Sequence, residues 1–235
     1  MKEKRIPSIF GEAAKISYIF ADALPKKSNV LIPDDYDGRH AFAIATRNHT
    51  IDIYEPDERY INGHTFIINN KKKNLCGLVN RIKALNKQES IHYHNENFYN
   101  CKSTKLYDRI FVYESLHRNS NSDITLFEKI NKLKDSLKPN GYLYIYYHLV
   151  EDNENFVTYP YNSYFRKHEM IKYFDKDHFE IINLKERCII RPFPSDYPEE
   201  LKEHYIGYIK VRKKTKKEVV INHTYKFYIK LGMHH

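Results

Sequence analysis

Residues 30–45, VLIPDDYDGRHAFAIA, set Asp34, Asp35, Tyr36, Asp37 and Gly38 between an apolar run and a segment with helical spacing. A strand that stops in a polar turn and restarts as a helix points helix amides into a crevice, where they can hold a ligand. Glu55, about 20 residues after Asp35 and at the end of the next apolar run, is spaced to accept both hydroxyls of a ribose. Together these residues spell recognition of a nucleoside. A calcium loop does not fit, because with Gly38 in the sixth position the first is Pro33 and the twelfth Ile44. The plainer alternative is a tight turn in which Asp35 or Asp37 caps the following helix.

Further groups with possible chemistry lie downstream. His117, in SLHRN, is a proton acceptor for a thiol, amine or hydroxyl, or a surface histidine. Tyr159, Tyr161 and Phe165, in YPYNSYFR, can stack on an aromatic or cationic molecule, or simply pack their loop down. His92 and His94 share one face of a strand, but two ligands without a third do not make a metal site, and none is expected. Cys76, Cys101 and Cys188 are odd in number and far apart, which fits neither a disulfide framework nor a zinc cluster; they read as ordinary buried thiols.

Periodicity supplies the elements that must hold these groups. A helix is expected over 9–24, capped by Ser8 and stopped by Pro25, then a strand at 30–33 and a helix at 40–47. TIDIYE (50–55) reads as the next strand, followed by a helix over 73–85 with Leu75, Leu78, Val79, Ile82 and Leu85 on one side. Strands follow at 90–98 and 109–115, a helix at 123–137, and the KPNG turn into a strand at 142–149. After a polar loop come a helix at 168–174 and strands at 179–187, 205–213 and, in the tail, 218–231. Strand and helix alternate to residue 149, which predicts an α/β fold of the doubly wound, Rossmann-like class with a mostly parallel sheet. The two late strands, joined without a helix, add an antiparallel pair at one edge.

A chain of 235 residues with 41% apolar and 14% aromatic residues can build a substantial core. No run approaches the roughly 20 apolar residues that span a bilayer, and the N-terminus lacks a signal-peptide core, so a cytoplasmic protein without membrane contact is expected. The net charge of +9, concentrated in Lys71–Lys73 and in RKKTKK (212–217), raises nucleic acid as a partner. No zinc-finger, helix-turn-helix or RNA-recognition signature accompanies it.

VLIPDDYDGRHAFAIA resembles the first motif of the class I S-adenosylmethionine-dependent methyltransferases, in the branch of the tellurite-resistance and thiopurine enzymes; Val30, Leu31, Pro33, Asp35, Gly38, Arg39 and Ala41 match. DIYEPD (52–57), YDRIFVYESLH (107–117), LKPNGYLYIYY (137–147), ERCII (186–190) and HYIGYIKVRKK (204–214) resemble later segments of that family in order. The resemblance covers residues 8 to about 214 and implies one methyltransferase domain over 1–214, with 215–235 as an extension packed on it. It implies a seven-stranded sheet with an antiparallel terminal strand, S-adenosyl-L-methionine as cofactor and a small molecule or another acceptor as substrate. Cofactor contacts fall on Pro33, Asp35, Tyr36, Gly38, Arg39, Glu55, Asn97 and Glu114; His117 is the candidate base, with Glu114 and Ser115 beside it, and Tyr159, Tyr161 and Phe165 belong to the acceptor side. Asp34 and Tyr36 stand where the family carries glycines. Tyr36 therefore raises a catalytically silent binding protein as the alternative, and the basic charge raises a nucleic-acid-binding module.

Overall fold

The computed structural model describes residues 15–68, 70–113, 115–116, 123–149, 165–192 and 203–220. Seven strands form one sheet: β1 (Asn29–Pro33), β2 (Thr50–Tyr54), β5 (Ile91–His94), β6 (Tyr107–Tyr113), β7 (Leu137–Leu149), β8 (Phe179–Pro192) and β9 (Glu203–Lys213), in the order β5-β2-β1-β6-β7-β9-β8. Pairing is parallel from β5 to β7, and β9 runs antiparallel to both of its neighbours. The expected Rossmann-like sheet with an antiparallel terminal strand is present.

Alternation along β1 and β2 explains the two covered faces. Val30, Ile32, Ile51 and Ile53 meet α1 (Lys15–Asp22), α2 (Arg39–Ile44) and α4 (Leu78–Ala84) through Phe20, Ala41, Ile44, Leu78 and Ile82. Leu31, Tyr54, Ile110, Val112, Leu143 and Ile145 face the other way, toward Ile130 and Leu133 of α5 (Leu126–Asp135) and toward Met170 and Phe174. Thr125 and Glu128 close a reciprocal capping box on α5, so that helix starts at Leu126, three residues after its expected start.

Several boundaries depart from expectation. Residues 73–75 are not the first turn of a helix: β3 (His64–Ile68) and β4 (Lys71–Leu75) pair as an antiparallel hairpin, and α4 begins only at Leu78. Gly77 explains the break, because its φ is 83° and a Cβ there would lie 2.4 Å from the Gly63 nitrogen. Only glycine lets the two ends of the hairpin close so tightly. The KPNG stretch lies inside β7 as a bulge, the register moving from Tyr107↔Leu137 to Arg109↔Tyr142. β5 ends at His94, the segment expected as a helix at 168–174 is a 3-10 turn over Met170–Tyr173, and 216–220 is helical where a strand was expected. The first helix is described only from Lys15, so Ser8 lies outside the described residues. Cys76 and Cys101 are half-buried free thiols. Among the described residues no helix is long and apolar enough to cross a membrane.

Candidate active site at the ends of β1 and β2

The sheet order reverses direction at β1, with β2 on one side and β6 on the other, and the crevice outside their carboxyl ends is where such sheets take ligands. Residues 34–38 fill that corner. Asp34 and Tyr36 adopt left-handed conformations, φ 58° and 52°, each costing a residue with a side chain about 1 kcal/mol or more. Asp34 N–H donates to the Tyr54 carbonyl (2.9 Å) and ties the corner to β2.

Asp35 is the helix cap that the plain reading predicts. Its carboxylate accepts from the His40 and Ala41 amides at 3.1 and 2.7 Å, taking up amides that open the short α2. Burial pushes this carboxyl up to about 7, against the lowering effect of those two amides. From about pH 4 to about pH 7 the folded chain then holds a proton the unfolded chain has lost, so stability falls as pH rises through that window and levels off above it. Asp35→Asn should match the wild type in melting temperature near pH 3 and exceed it near pH 8, where the ionised carboxyl costs about 4 kcal/mol. Equal melting temperatures at both pH values would show that the group does not titrate in this range.

Glu55, fully buried, receives the Tyr36 amide on Oε2 at 3.0 Å and the Asp57 amide on Oε1 at 3.1 Å. The Tyr36 ring points along the end of β2 and meets Tyr60, of α3 (Glu58–Asn62), edge-on at 5.1 Å. Gly38 is needed for packing: at φ 79° a Cβ would stand 2.7 Å from Leu78 Cδ1 and 3.0 Å from the Phe42 ring, and its N–H returns to the Asp35 carbonyl. The Arg39 guanidinium lies 3.2 Å from His40 Nε2, and the Ser115 hydroxyl donates to the Pro33 carbonyl at 3.4 Å. His40 itself is buried beside Ser17 Oγ, and burial together with the Arg39 charge brings it down to about 3, so it is neutral. Asn97 caps its own turn, Oδ1 accepting the Tyr99 amide.

The structure brings Pro33, Asp35, Tyr36 and Glu55 together at one corner, while Phe165 goes elsewhere. Its ring is fully buried in the core, edge-on to Tyr147 at 5.1 Å, so it supports the end of β7 and does not face an acceptor. Glu114, His117, Tyr159 and Tyr161 lie outside the described residues. His92 and His94 flank buried Asp52 at 3.4 and 4.0 Å, but the Lys105 ammonium and the Tyr107 hydroxyl occupy that carboxylate. Among the described residues no group of three such side chains is set to hold a metal ion.

Two site residues were not legible beforehand. Arg81 of α4, buried, forms a 3.0 Å ion pair with Asp37, donates to its carbonyl and lies over the Phe42 ring. Lys129 of α5, also buried, donates to the Leu116 carbonyl at 2.7 Å; burial lowers its pKa and the Asp34 charge opposes that. The available signal was position, since Arg81 stands three residues after Leu78 and one before Ile82, on the apolar side of the helix.

Solved structures share this architecture at low identity. TehB from Haemophilus influenzae superposes with a TM-score of 0.64 at 13% identity, covering 88% of this chain and 64% of TehB. The [4+2]-cyclase SpnF gives 0.65 at 10%, covering 86% and 80%. The 1,6-didemethyltoxoflavin-N1-methyltransferase of Burkholderia thailandensis, solved with 1,6-didemethyltoxoflavin and S-adenosylhomocysteine, gives 0.57 at 13%, covering 86% and 78%. The chain has the Rossmann-like methyltransferase fold. No family model matches the sequence, and no curated protein is significantly similar to it. The chain spans 64% of the length of TehB, under two thirds. Since the methyltransferase fold also carries a [4+2]-cyclase, chemistry has to be argued from the corner at β1 and β2.

Proposed function

We propose that this chain binds S-adenosyl-L-methionine at the carboxyl ends of β1 and β2 and transfers its methyl group to a small molecule or another acceptor, in the manner of the tellurite-resistance and thiopurine branch. The observation that carries the reading is Glu55: a buried carboxylate at the tip of β2, beside the corner that ends β1, whose oxygens face N–H donors. A ribose diol presents two O–H donors of the same polarity, so the residues fit the nucleoside end of the cofactor. The Tyr36 amide takes one acceptor site of Oε2, and because Glu55 is fully buried the diol reaches that oxygen only when the Tyr36 segment moves aside.

When bound, the group would supply a methyl carbon activated by a sulfonium, whose sulfur leaves as a neutral thioether. The chain's task is then to hold an acceptor in line, and proximity accounts for several kcal/mol of the barrier. Glu114 and Ser115, which follow β6, line the gap in this reading, with His117 accepting the acceptor's proton and Tyr159 and Tyr161 assigned to the acceptor side.

Isothermal titration with S-adenosylmethionine and S-adenosylhomocysteine tests this. Wild type should bind both, and Glu55→Ala should weaken binding about 100-fold or more, since two charge-assisted hydrogen bonds are lost. Glu55→Gln, which keeps an acceptor for the amides, controls for folding. Retained affinity in both variants would refute the ribose assignment. The Tyr36 amide seated on Glu55 also favours a second reading, a silent binding protein, for which wild type shows no heat with either nucleoside.

A further inference from the structure

The β3–β4 hairpin is inserted between the second and third strands of the parallel sheet, and its side chains repeat one pattern, aromatic rings among cations. Phe66 and Lys73 are directly opposite in the antiparallel register, and Lys71 follows on the same face about 7 Å along β4. Tyr60 stacks on Phe66 with ring centroids 5.5 Å apart and planes 9° from parallel, and His64 meets Phe66 edge-on at 5.1 Å. The Arg59 guanidinium lies 5.8 Å from the Phe66 centroid. Through the Tyr36–Tyr60 contact the file of rings reaches the corner that ends β1.

The cations of this hairpin differ from those of the other basic run. In 212–217, Arg212 is bound by Glu180 and Glu218, Lys213 Nζ by the Lys134 and Leu137 carbonyls, and Lys214 Nζ by the Lys176 carbonyl. That run is largely spent inside the fold. Lys71, Lys72 and Lys73 are exposed, and among the described residues no carboxylate pairs with them. Exposed cations set among half-buried rings, on a chain of net charge +9, match a ligand with phosphates along one side and π faces along the other.

We infer that the β3–β4 hairpin, with Tyr60 and Phe66, is a docking arm for single-stranded nucleic acid, its phosphates on Lys71 and Lys73, which share the face of Phe66, and its bases against the rings. The methyltransferase reading enters only in what becomes of the strand, whose path leads to Tyr36 and the corner; binding itself does not need the cofactor.

Fluorescence anisotropy of the full chain with labelled 12-nucleotide RNA, the same sequence as DNA, and the corresponding duplex, each over a range of potassium chloride, tests the arm. Both single strands should bind more tightly than the duplex, with RNA above DNA if the 2′-hydroxyl is read and equal to it if only phosphates and bases are. The combined change Lys71→Ala and Lys73→Ala should weaken binding about fivefold or more and flatten the salt slope by about 1.4, at roughly 0.7 per phosphate contact. Phe66→Ala should weaken binding about fivefold or more and leave the slope unchanged. No binding by wild type at low salt, an unchanged slope in the lysine variant, or equal competition by polyglutamate would overturn the arm. Titration of the lysine variant with S-adenosylhomocysteine should match wild type, and wild type itself separates the two proposals: nucleoside binding without strand binding sinks the arm alone, and the reverse sinks the methyltransferase reading alone.

Discussion

Arg81→Leu should cost the fold about 3–5 kcal/mol, the largest loss expected from any single change at this site. Asp37 is fully buried, and the Arg81 guanidinium is 3.0 Å from its carboxylate. Leucine leaves that carboxylate in a low-dielectric setting with its ion-pair partner gone, and it also strips a donor from the Asp37 carbonyl. The stacking of the guanidinium on Phe42, at 4.4 Å, is lost as well. Urea unfolding followed by circular dichroism measures the change. The double variant Asp37→Leu, Arg81→Leu should recover most of the loss, because removing both charges removes the cost of burying one. If Arg81→Leu shifts stability by less than about 1 kcal/mol, the ion pair is not what fixes the corner against α4.

The sheet was legible because of how it is buried. β1 is covered on both faces and reads as an unbroken apolar run, β2 was marked by the β-branched and aromatic residues around Asp52, and the spacing of Phe20, Ile44 and Ile130 marked helices that pack against the sheet. The hairpin was hidden for the opposite reason. Lys71–Lys73 face water and carry no apolar period, while Leu75 falls by chance in helical step with Leu78 and Ile82 although it ends a strand. Gly77 was the local warning. At the site, the positions of Asp35 and Glu55 could be read from spacing, but their partners could not: Arg81 meets Asp37 across 44 residues, and a pairing of that range leaves no trace in local periodicity. Phe165 shows the converse, since an aromatic residue in a polar loop reads as a ligand contact until its burial is known.

Tyr36→Gly should bind S-adenosylhomocysteine three- to tenfold more tightly than wild type. The corner as it stands is closed: the Tyr36 amide sits on Glu55 Oε2, and the ring braces that arrangement against Tyr60. A nucleoside whose diol needs the same oxygen meets a competent site only in the fraction of molecules where the loop has moved, and its apparent affinity falls by that fraction. An edge-on aromatic pair contributes roughly 0.5–1.5 kcal/mol, which sets the size of the gain when the ring is removed. Glycine also adopts φ 52° without the steric cost that tyrosine bears, though its freedom in the unfolded chain offsets about as much, so the melting temperature should move little. Tyr60→Ala releases the same brace from the other side and should reproduce the gain, whereas Tyr36→Phe, which keeps the ring, should bind as wild type does. Titration calorimetry on the three variants decides the matter. A weaker complex with Tyr36→Gly would mean that the phenol is part of the nucleoside site, and the ring would have to be counted among the groups that hold the cofactor.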